Sequence, residues 1–340
     1  MVHFIFGAIV LALFHGTAFA NPYLPKPGER PVNLRVGTSA VTGGFVHLYT
    51  GFDYGIFEKY GLKIEHVYIR GQSPALAALA NDELQFNYGA ADGSLPGIAA
   101  GVDVKFIASP LVKLPYVLVA RKDIRRPEDL KGKSIGITRP GDLSARLSRA
   151  VMRKFGLTTD EVTIRPIGGS QSERYQAMLG NVVQAILVTP PLDVRAKNDG
   201  FNILYRLIDL ELPFIYSSLM TNYKMLRDRH DIVQRMVAAL AESVYFVEKN
   251  PDKAKAAIAK AMRTKDEEAL QVSYNVYAKE IVDRTMVVPG KSVSEAVEIA
   301  RETGTIIRRK PEELYDNSFV NNLEKSGFLK ELWGNENYRR

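Results

Sequence analysis

The 340-residue chain contains no cysteine, one tryptophan and five histidines. Without cysteine it has no disulfides, no thiolate metal site, no cysteine nucleophile and no acylated N-terminal cysteine anchor. Two of the histidines lie in the first fifteen residues; the others, His47, His66 and His230, are too scattered in the sequence to form a metal-binding spacing. No H-E-x-x-H, G-x-S-x-G, S-x-x-K or G-x-G-x-x-G motif occurs, so no common catalytic arrangement is signalled. Lys131-Gly132-Lys133-Ser134 is not a phosphate-binding loop, because Pro127 stands where the first glycine is needed and the run precedes a predicted strand. Low-complexity tracts are missing as well, and order is expected nearly throughout.

Long apolar runs are confined to the start. Phe4 to Phe14 is almost unbroken, and Ala18-Phe19-Ala20 places small residues at −3 and −1 before Asn21. The run is shorter than the ~18 residues that suggest a bilayer-spanning helix. A signal peptide over residues 1–20 is expected, with cleavage after Ala20, although its first residues carry His3 in place of Lys or Arg. The alternative is an uncleaved interfacial anchor. A cysteine-free exported chain points to a periplasm.

Basic residues outnumber acidic ones by 45 to 38, a net charge of +7. The signs are interleaved, as in Arg125-Arg126-Pro127-Glu128-Asp129, and no aromatic–basic stripe appears. A nucleic-acid partner is therefore not expected.

What is present is a doubled grammar. Asn33–Val36, Leu62–Ile69, Gln85–Tyr88 and Lys105–Ala108 read as strands separated by small-residue turns and helical spacings, including one predicted helix over Phe45–Tyr60. A second set follows, with strands at Ser134–Thr138, Val162–Ile167 and Ala185–Val188 and a helix over Leu143–Phe155. Tyr116–Arg121 and Phe214–Thr221 read as β-runs that cross between the two sets. From Leu226 the chain is helical, with Ile232, Met236, Leu240, Val244 and Val247 on one face. The expected fold is α/β with two lobes, each an open, mostly parallel sheet covered by helices on both faces, joined by a hinge of two crossover segments. The expected division is residues 31–115 and 216–340, including a helical annex, for the first lobe, and 116–215 for the second.

In open α/β sheets ligands sit at the carboxyl ends of strands, beside helix N-termini whose free N–H groups favour electron-rich groups. Six strand-end loops here are rich in Gly, Ser, Thr and Ala: 39–44, 71–73, 90–94, 140–144, 168–170 and 189–191. They supply the candidate ligand-binding residues Ser39, Thr42, Gly43, Gly44, Gln72, Ser73, Ala91, Asp92, Gly141, Asp142, Ser144, Gly169, Ser170, Thr189 and Pro190, and Arg139 immediately before the fourth loop is a further candidate. Tyr116 and Tyr216, on the crossovers, join them as stacking candidates. Each has a plainer alternative: Ser73 as N-cap of a helix with Pro74 at its first position, Asp92 as another cap, Arg139 as a solvated cation, the tyrosines as core. His47, one turn into the first helix, either faces the cleft or lies in the core or at the surface.

Gly37-Thr38-Ser39, Tyr54-Gly55-Ile56-Phe57-Glu58-Lys59-Tyr60-Gly61-Leu62, Leu79 to Tyr88 followed by Gly89-Ala90-Ala91-Asp92, Asp129-Leu130-Lys131-Gly132-Lys133-Ser134-Ile135-Gly136 and Asn250-Pro251-Asp252-Lys253-Ala254 carry a resemblance. Over roughly residues 33–260 the chain resembles the type II periplasmic binding proteins of the nitrate, sulfonate, taurine and thiamin-pyrimidine-precursor family. The resemblance implies a monomeric receptor without cofactor or metal, which closes around a small, anionic or polar organic solute and delivers it to an ABC permease. A periplasmic sensing module is the alternative. Enzymes of thiamin-pyrimidine or menaquinone synthesis type are a further one, less favoured because the eukaryotic pyrimidine synthases carry a cysteine-rich iron motif. The chain departs from the family pattern at Gln85 and Gln184, where relatives often have an acid, so ligand assignments are not carried across.

Overall fold

The computed structural model describes residues 21–140, 142–210 and 214–339. The expected signal peptide, Gly141, residues 211–213 just before the second crossover, and residue 340 lie outside these residues. Among the described residues, ten strands form two five-stranded sheets. The first contains β1 (Val32–Thr38), β2 (Leu62–Tyr68), β3 (Phe86–Ala90), β4 (Val104–Leu111) and β10 (Ser217–Asn222), in the order β2-β1-β3-β10-β4. The second contains β5 (Val117–Ala120), β6 (Ser134–Ile137), β7 (Thr163–Pro166), β8 (Ala185–Val188) and β9 (Asn202–Arg206), in the order β7-β6-β8-β5-β9.

The two orders are the same pattern used twice. β1 pairs in parallel with β2 and β3, and β6 with β7 and β8. In each sheet one antiparallel strand is inserted next to the last position: β10 between β3 and β4, β5 between β8 and β9. Each inserted strand belongs to a segment that arrives from the other sheet, which is how two crossovers tie two lobes together. Strands buried on both faces read as continuous apolar runs, and Val-Leu-Val-Ala of β5 and Ala-Ile-Leu-Val of β8 are entirely buried.

Two expectations need correction. The single helix over Phe45–Tyr60 is broken into a short turn of helix at Gly43–Phe45, a helix at Val46–Asp53 and another at Ile56–Lys59. Gly55 takes φ of 67°, a left-handed conformation that ends one helix and starts the next. The strand Asn202–Arg206 lies outside the expected strands: it is a half-exposed edge strand whose apolar run is only the three residues Ile203, Leu204 and Tyr205.

The core of the first lobe lies between its sheet and the helix His230–Lys249, whose Ile232, Met236, Leu240, Val244 and Val247 are all buried. Shorter helices after Pro251 complete it, with Phe319, Leu323, Phe328 and Trp333 joining the same cluster. The second lobe has its own clusters, one on Leu118, Ile135, Leu147, Val151 and Leu187 and one on Val119, Tyr175, Ile186 and Val188. Gln85 and Gln184 play the same part in each half. Gln85 Oε1 accepts from the backbone N–H of Arg35 at 2.9 Å, and Gln184 Oε1 from that of Ser134 at 3.0 Å. Both amides pin neighbouring parallel strands at the ends away from the cleft.

Candidate functional site

The strand ends of the two sheets converge on one interlobe region, and most candidate residues are placed there by loop chemistry. After β1, the Ser39 hydroxyl donates to Gln72 Oε1, and Gln72 Nε2 reaches Ser94. Gln72 lies over Gly89, where an added Cβ would sit 2.9 Å from its amide oxygen. Helix Gln72–Ala80 is entered through Gly71, at φ of 100°, so Ser73 lies inside the helix, exposed, and not at its cap. Asp92 likewise is no cap: helix Ala91–Ala99 starts from Ala90, and Asp92 occupies its first turn.

Thr42 does cap, accepting the N–H of Gly44 at 3.3 Å. Gly43 and Gly44 carry no side chain because aromatic rings lie on them. A Cβ on Gly44 would come within 2.6 Å of Tyr216 and 3.3 Å of Tyr277, and one on Gly43 within 2.9 Å of Tyr277. Tyr216 and Tyr277 stack with centroids 6.0 Å apart, and Tyr116 meets Tyr216 edge-on at 6.3 Å. The Tyr277 hydroxyl donates to Pro190 O at 3.1 Å, joining the C-terminal helices to the loop after β8. Tyr216 interacts through its hydroxyl with Thr42, Tyr277 and Thr189.

On the second sheet, Asp142 caps helix Leu143–Lys154 by accepting from Ala145 N, and also accepts from the Ser144 hydroxyl at 2.7 Å. Ser144 in turn accepts from Thr138 N. Arg139 is exposed, and its backbone N–H donates to Asp142. Gly169, at φ of 62°, turns the chain into helix Gln171–Leu179, where Ser170 and Glu173 cap reciprocally. Thr189 N donates to Gln171 Oε1 at 2.8 Å. Asp142, Ser144 and Ser170 are thus committed to their own loops, and Gly141 lies outside the described residues.

Three functional candidates were not legible in sequence. Arg174 is only 5% exposed; its Nη1 donates to Thr138 Oγ1 at 2.7 Å and to Gly169 O at 3.0 Å. Its Nε has no hydrogen-bond partner, and among the described residues no carboxylate forms an ion pair with it. Burial lowers its pKa from the ordinary guanidinium value, with Tyr116, Asp142 and Glu173 acting in the other direction. Arg146, half-buried on helix Leu143–Lys154, is in a similar position: burial lowers its pKa, opposed by Asp92 and Asp142. The signal for Arg174 was its place on the buried side of its helix beside Tyr175 and Met178. Tyr277 follows helix Glu267–Asn275, in a part of the chain without strand-end loops.

His47 is fully buried, and neither ring nitrogen has a partner. Burial lowers its pKa to about 3, so the ring is neutral near pH 7 and belongs to the core, not the cleft. Among the described residues no group of three or more His, Asp or Glu side chains is placed to hold a metal ion.

Residues 43–254 match the family described as NMT1/THI5 like. The chain belongs to the NMT1/THI5-like family. A protein of Brachyspira hyodysenteriae named as an ABC transporter periplasmic binding protein is 25% identical over 215 residues, 58% of this chain. The chain spans 60% of the length of that relative. Among solved structures, the periplasmic aliphatic sulphonate-binding protein SsuA of Escherichia coli is similar at a TM-score of 0.67 and 17% identity, over 84% of this chain and 92% of that one. The ligand-binding component of an ABC-type import system from Staphylococcus aureus is similar at 0.69 and 12% identity, over 86% and 98%. These likenesses show that this member of the family has the two-lobed periplasmic binding protein fold. No helix among the described residues is long and apolar enough to cross a membrane.

Proposed function

We propose that the chain is a periplasmic receptor that captures a small anionic or polar organic solute between its lobes and delivers it to an ABC importer. The observation that carries the anionic reading is Arg174. A buried guanidinium without a carboxylate hydrogen-bonded to it is costly, since its desolvation is opposed only by the charges of Asp142 and Glu173, neither of which forms an ion pair with it. An anion held between the strand ends would supply that counter-charge and complete the Nε hydrogen bond. The lobes in this reading divide at residues 31–115 and 216–340 against 116–215. Tyr116, Tyr216 and the loops of Ser39, Thr42–Gly44, Gln72–Ser73, Ala91–Asp92, Gly169–Ser170 and Thr189–Pro190, with Arg139, Asp142 and Ser144, line the closing surfaces.

The reading is of binding without chemistry. Of the three histidines beyond the expected signal, His47 is sealed in the core, and His66 pairs through Nε2 with the Thr38 hydroxyl at 2.9 Å. His230 packs on Phe319 in the first lobe. The protein acts as an exported monomer, with residues 1–20 removed.

Thermal unfolding against a panel of sulfonates, carboxylates and inorganic anions tests this. A ligand at ~100 times its Kd stabilises by about 2.7 kcal/mol, which moves the midpoint by several degrees. Arg174→Gln is expected to remove most of that shift, because truncating one partner of a buried charge pair costs about 2–5 kcal/mol of binding. An undiminished shift in Arg174→Gln would refute the role of the guanidinium.

A further inference from the structure

The two lobes touch on one side of the cleft and stand apart on the other. Helix Leu192–Asn198 packs by Ala196 on the Val119 and Ile186 face of the second sheet. Helix Leu143–Lys154 packs by Leu147 on the opposite face, with Leu118 and Leu187. Around the first of these helices, three contacts join the second lobe to residues 268–280 of the first. Lys197 Nζ pairs with Glu268 at 3.1 Å, Arg206 pairs with Glu280, and Tyr277 donates to Pro190 O at 3.1 Å. On the other side, helix Leu143–Lys154 faces helix Gly290–Glu302 across two adjoining cavities of about 440 Å³ and about 620 Å³.

The facing surfaces match. Leu143, Arg146, Ala150 and Arg153 recur at helical spacing and line the gap from the second lobe, and Glu295, Ala296, Glu298 and Ile299 line it from the first. The four apolar residues among them are only half-buried. The helices run past each other in opposite directions: Leu143 and Arg146 share the larger cavity with Ala300 and Thr303, whereas Arg153 reaches only the smaller one, with Ser292 and Glu295. Apolar stripes flanked by opposite charges are what packs helix on helix. Yet no ion pair crosses the gap. Among the described residues Arg146 and Arg153 form none, and Glu295 and Glu298 pair within their own helix, with Lys291 at 4.0 Å and Arg301 at 2.6 Å. Those pairs are exposed and exchange partners at little cost. Asp92, Arg139 and Asp142 border the cavities nearer the strand ends, and both acids act on Arg146, so Arg153 is the cleaner half of the match.

We propose that these two helix faces are the halves of a latch. The lobes pivot about the joined side, and helix Gly290–Glu302 docks on helix Leu143–Lys154, with Arg146 and Arg153 against Glu295 and Glu298. The latch is built from the chain alone. It favours the closed form before any solute binds, and so lowers the differential affinity that a solute must supply to close the cleft.

The absence of cysteine makes the test direct, because introduced thiols are then the only sites of labelling. Nitroxide pairs are placed at Lys154→Cys with Ser294→Cys across the gap, and at Asn198→Cys with Glu267→Cys across the joined side; all four positions are exposed. Distances are read by pulsed electron paramagnetic resonance on the protein without added solute, at ~0.01 M salt, where charges are weakly screened. The gap pair is expected to show a longer and a shorter population, and the joined-side pair a single one. Arg153→Glu is expected to reduce the shorter population relative to the longer by about threefold or more, the order expected for reversing one exposed charge. Adding Glu295→Arg is expected to restore at least half of that loss. Both substitutions are at exposed positions, and urea unfolding checks that the fold is kept. One unchanged gap distance in every variant, a shorter population indifferent to Arg153→Glu, or a loss that Glu295→Arg does not recover overturns the latch. Equal movement of the two label pairs overturns the pivot. No outcome depends on the nature of the solute, which the thermal panel tests separately.

Discussion

His47 offers a quantitative test of the structure that needs no ligand. Its ring is buried on the helix Val46–Asp53 with both nitrogens unpartnered, and its pKa is lowered to about 3. In the unfolded chain a histidine titrates near ~6.5. Between those values the unfolded state binds a proton that the folded state does not, so stability falls as pH falls. The contribution is fully present above the unfolded pKa and is lost as pH drops toward 3. At about 1.4 kcal/mol per unit, the loss from this group alone is ~3 kcal/mol by pH 4. Carboxylates titrate in the same range, so the comparison is with His47→Leu, which keeps the volume and removes the proton site. Urea unfolding of both proteins at pH 7 and pH 4 isolates the histidine, because the carboxylate terms cancel in the difference. The difference is expected to move by ~3 kcal/mol in favour of Leu at the lower pH. A difference constant within ~0.5 kcal/mol would refute the buried, unpartnered ring.

Two further predictions concern stability. Gln184→Ala leaves the Ser134 N–H and hydroxyl without their acceptor and is expected to cost about 1–3 kcal/mol in urea unfolding, whereas Gln184→Glu, which keeps the acceptor, costs less. Arg284, 5% exposed, pairs with Glu248, donates to Asn337 O at 2.8 Å and lies 4.2 Å over the Trp333 ring. Arg284→Met leaves Glu248 without that guanidinium and is expected to cost about 3–5 kcal/mol, and adding Glu248→Leu should recover a large part of it; equal loss in the double variant would count against the charge argument.

Much of the architecture was legible because it rests on local chemistry repeated twice. β-rich runs, glycine-bearing turns and helical spacings are properties of neighbours in sequence, and nine of the ten strands followed from them. The edge strand Asn202–Arg206 escaped because it is only half-buried, though the doubled grammar called for a fourth parallel strand in the second lobe. Gly55 escaped as a helix break because the apolar spacing continues straight through it. The small-residue loops do fall at strand ends, as turn chemistry predicts, yet which of their side chains remain free depends on bonds the sequence does not display. Asp142 and Ser170 spend their oxygens on helix caps, and Ser39 and Gln72 bond to each other across 33 positions.

By itself, then, the sequence determined the class of fold, the doubling into two lobes and the strand-end loops, since each follows from spacing and turn chemistry within a few residues. Only the tertiary structure decided which charges lack a counter-charge. Arg174 is a polar residue in a helix until Thr138, Gly169 and Tyr116 close around it, and Asp92 and Arg146 become opposed only when two separate sheets face each other. Unpaired charge is a property of three-dimensional surroundings, because burial and the absence of a partner are set by residues far away in the chain.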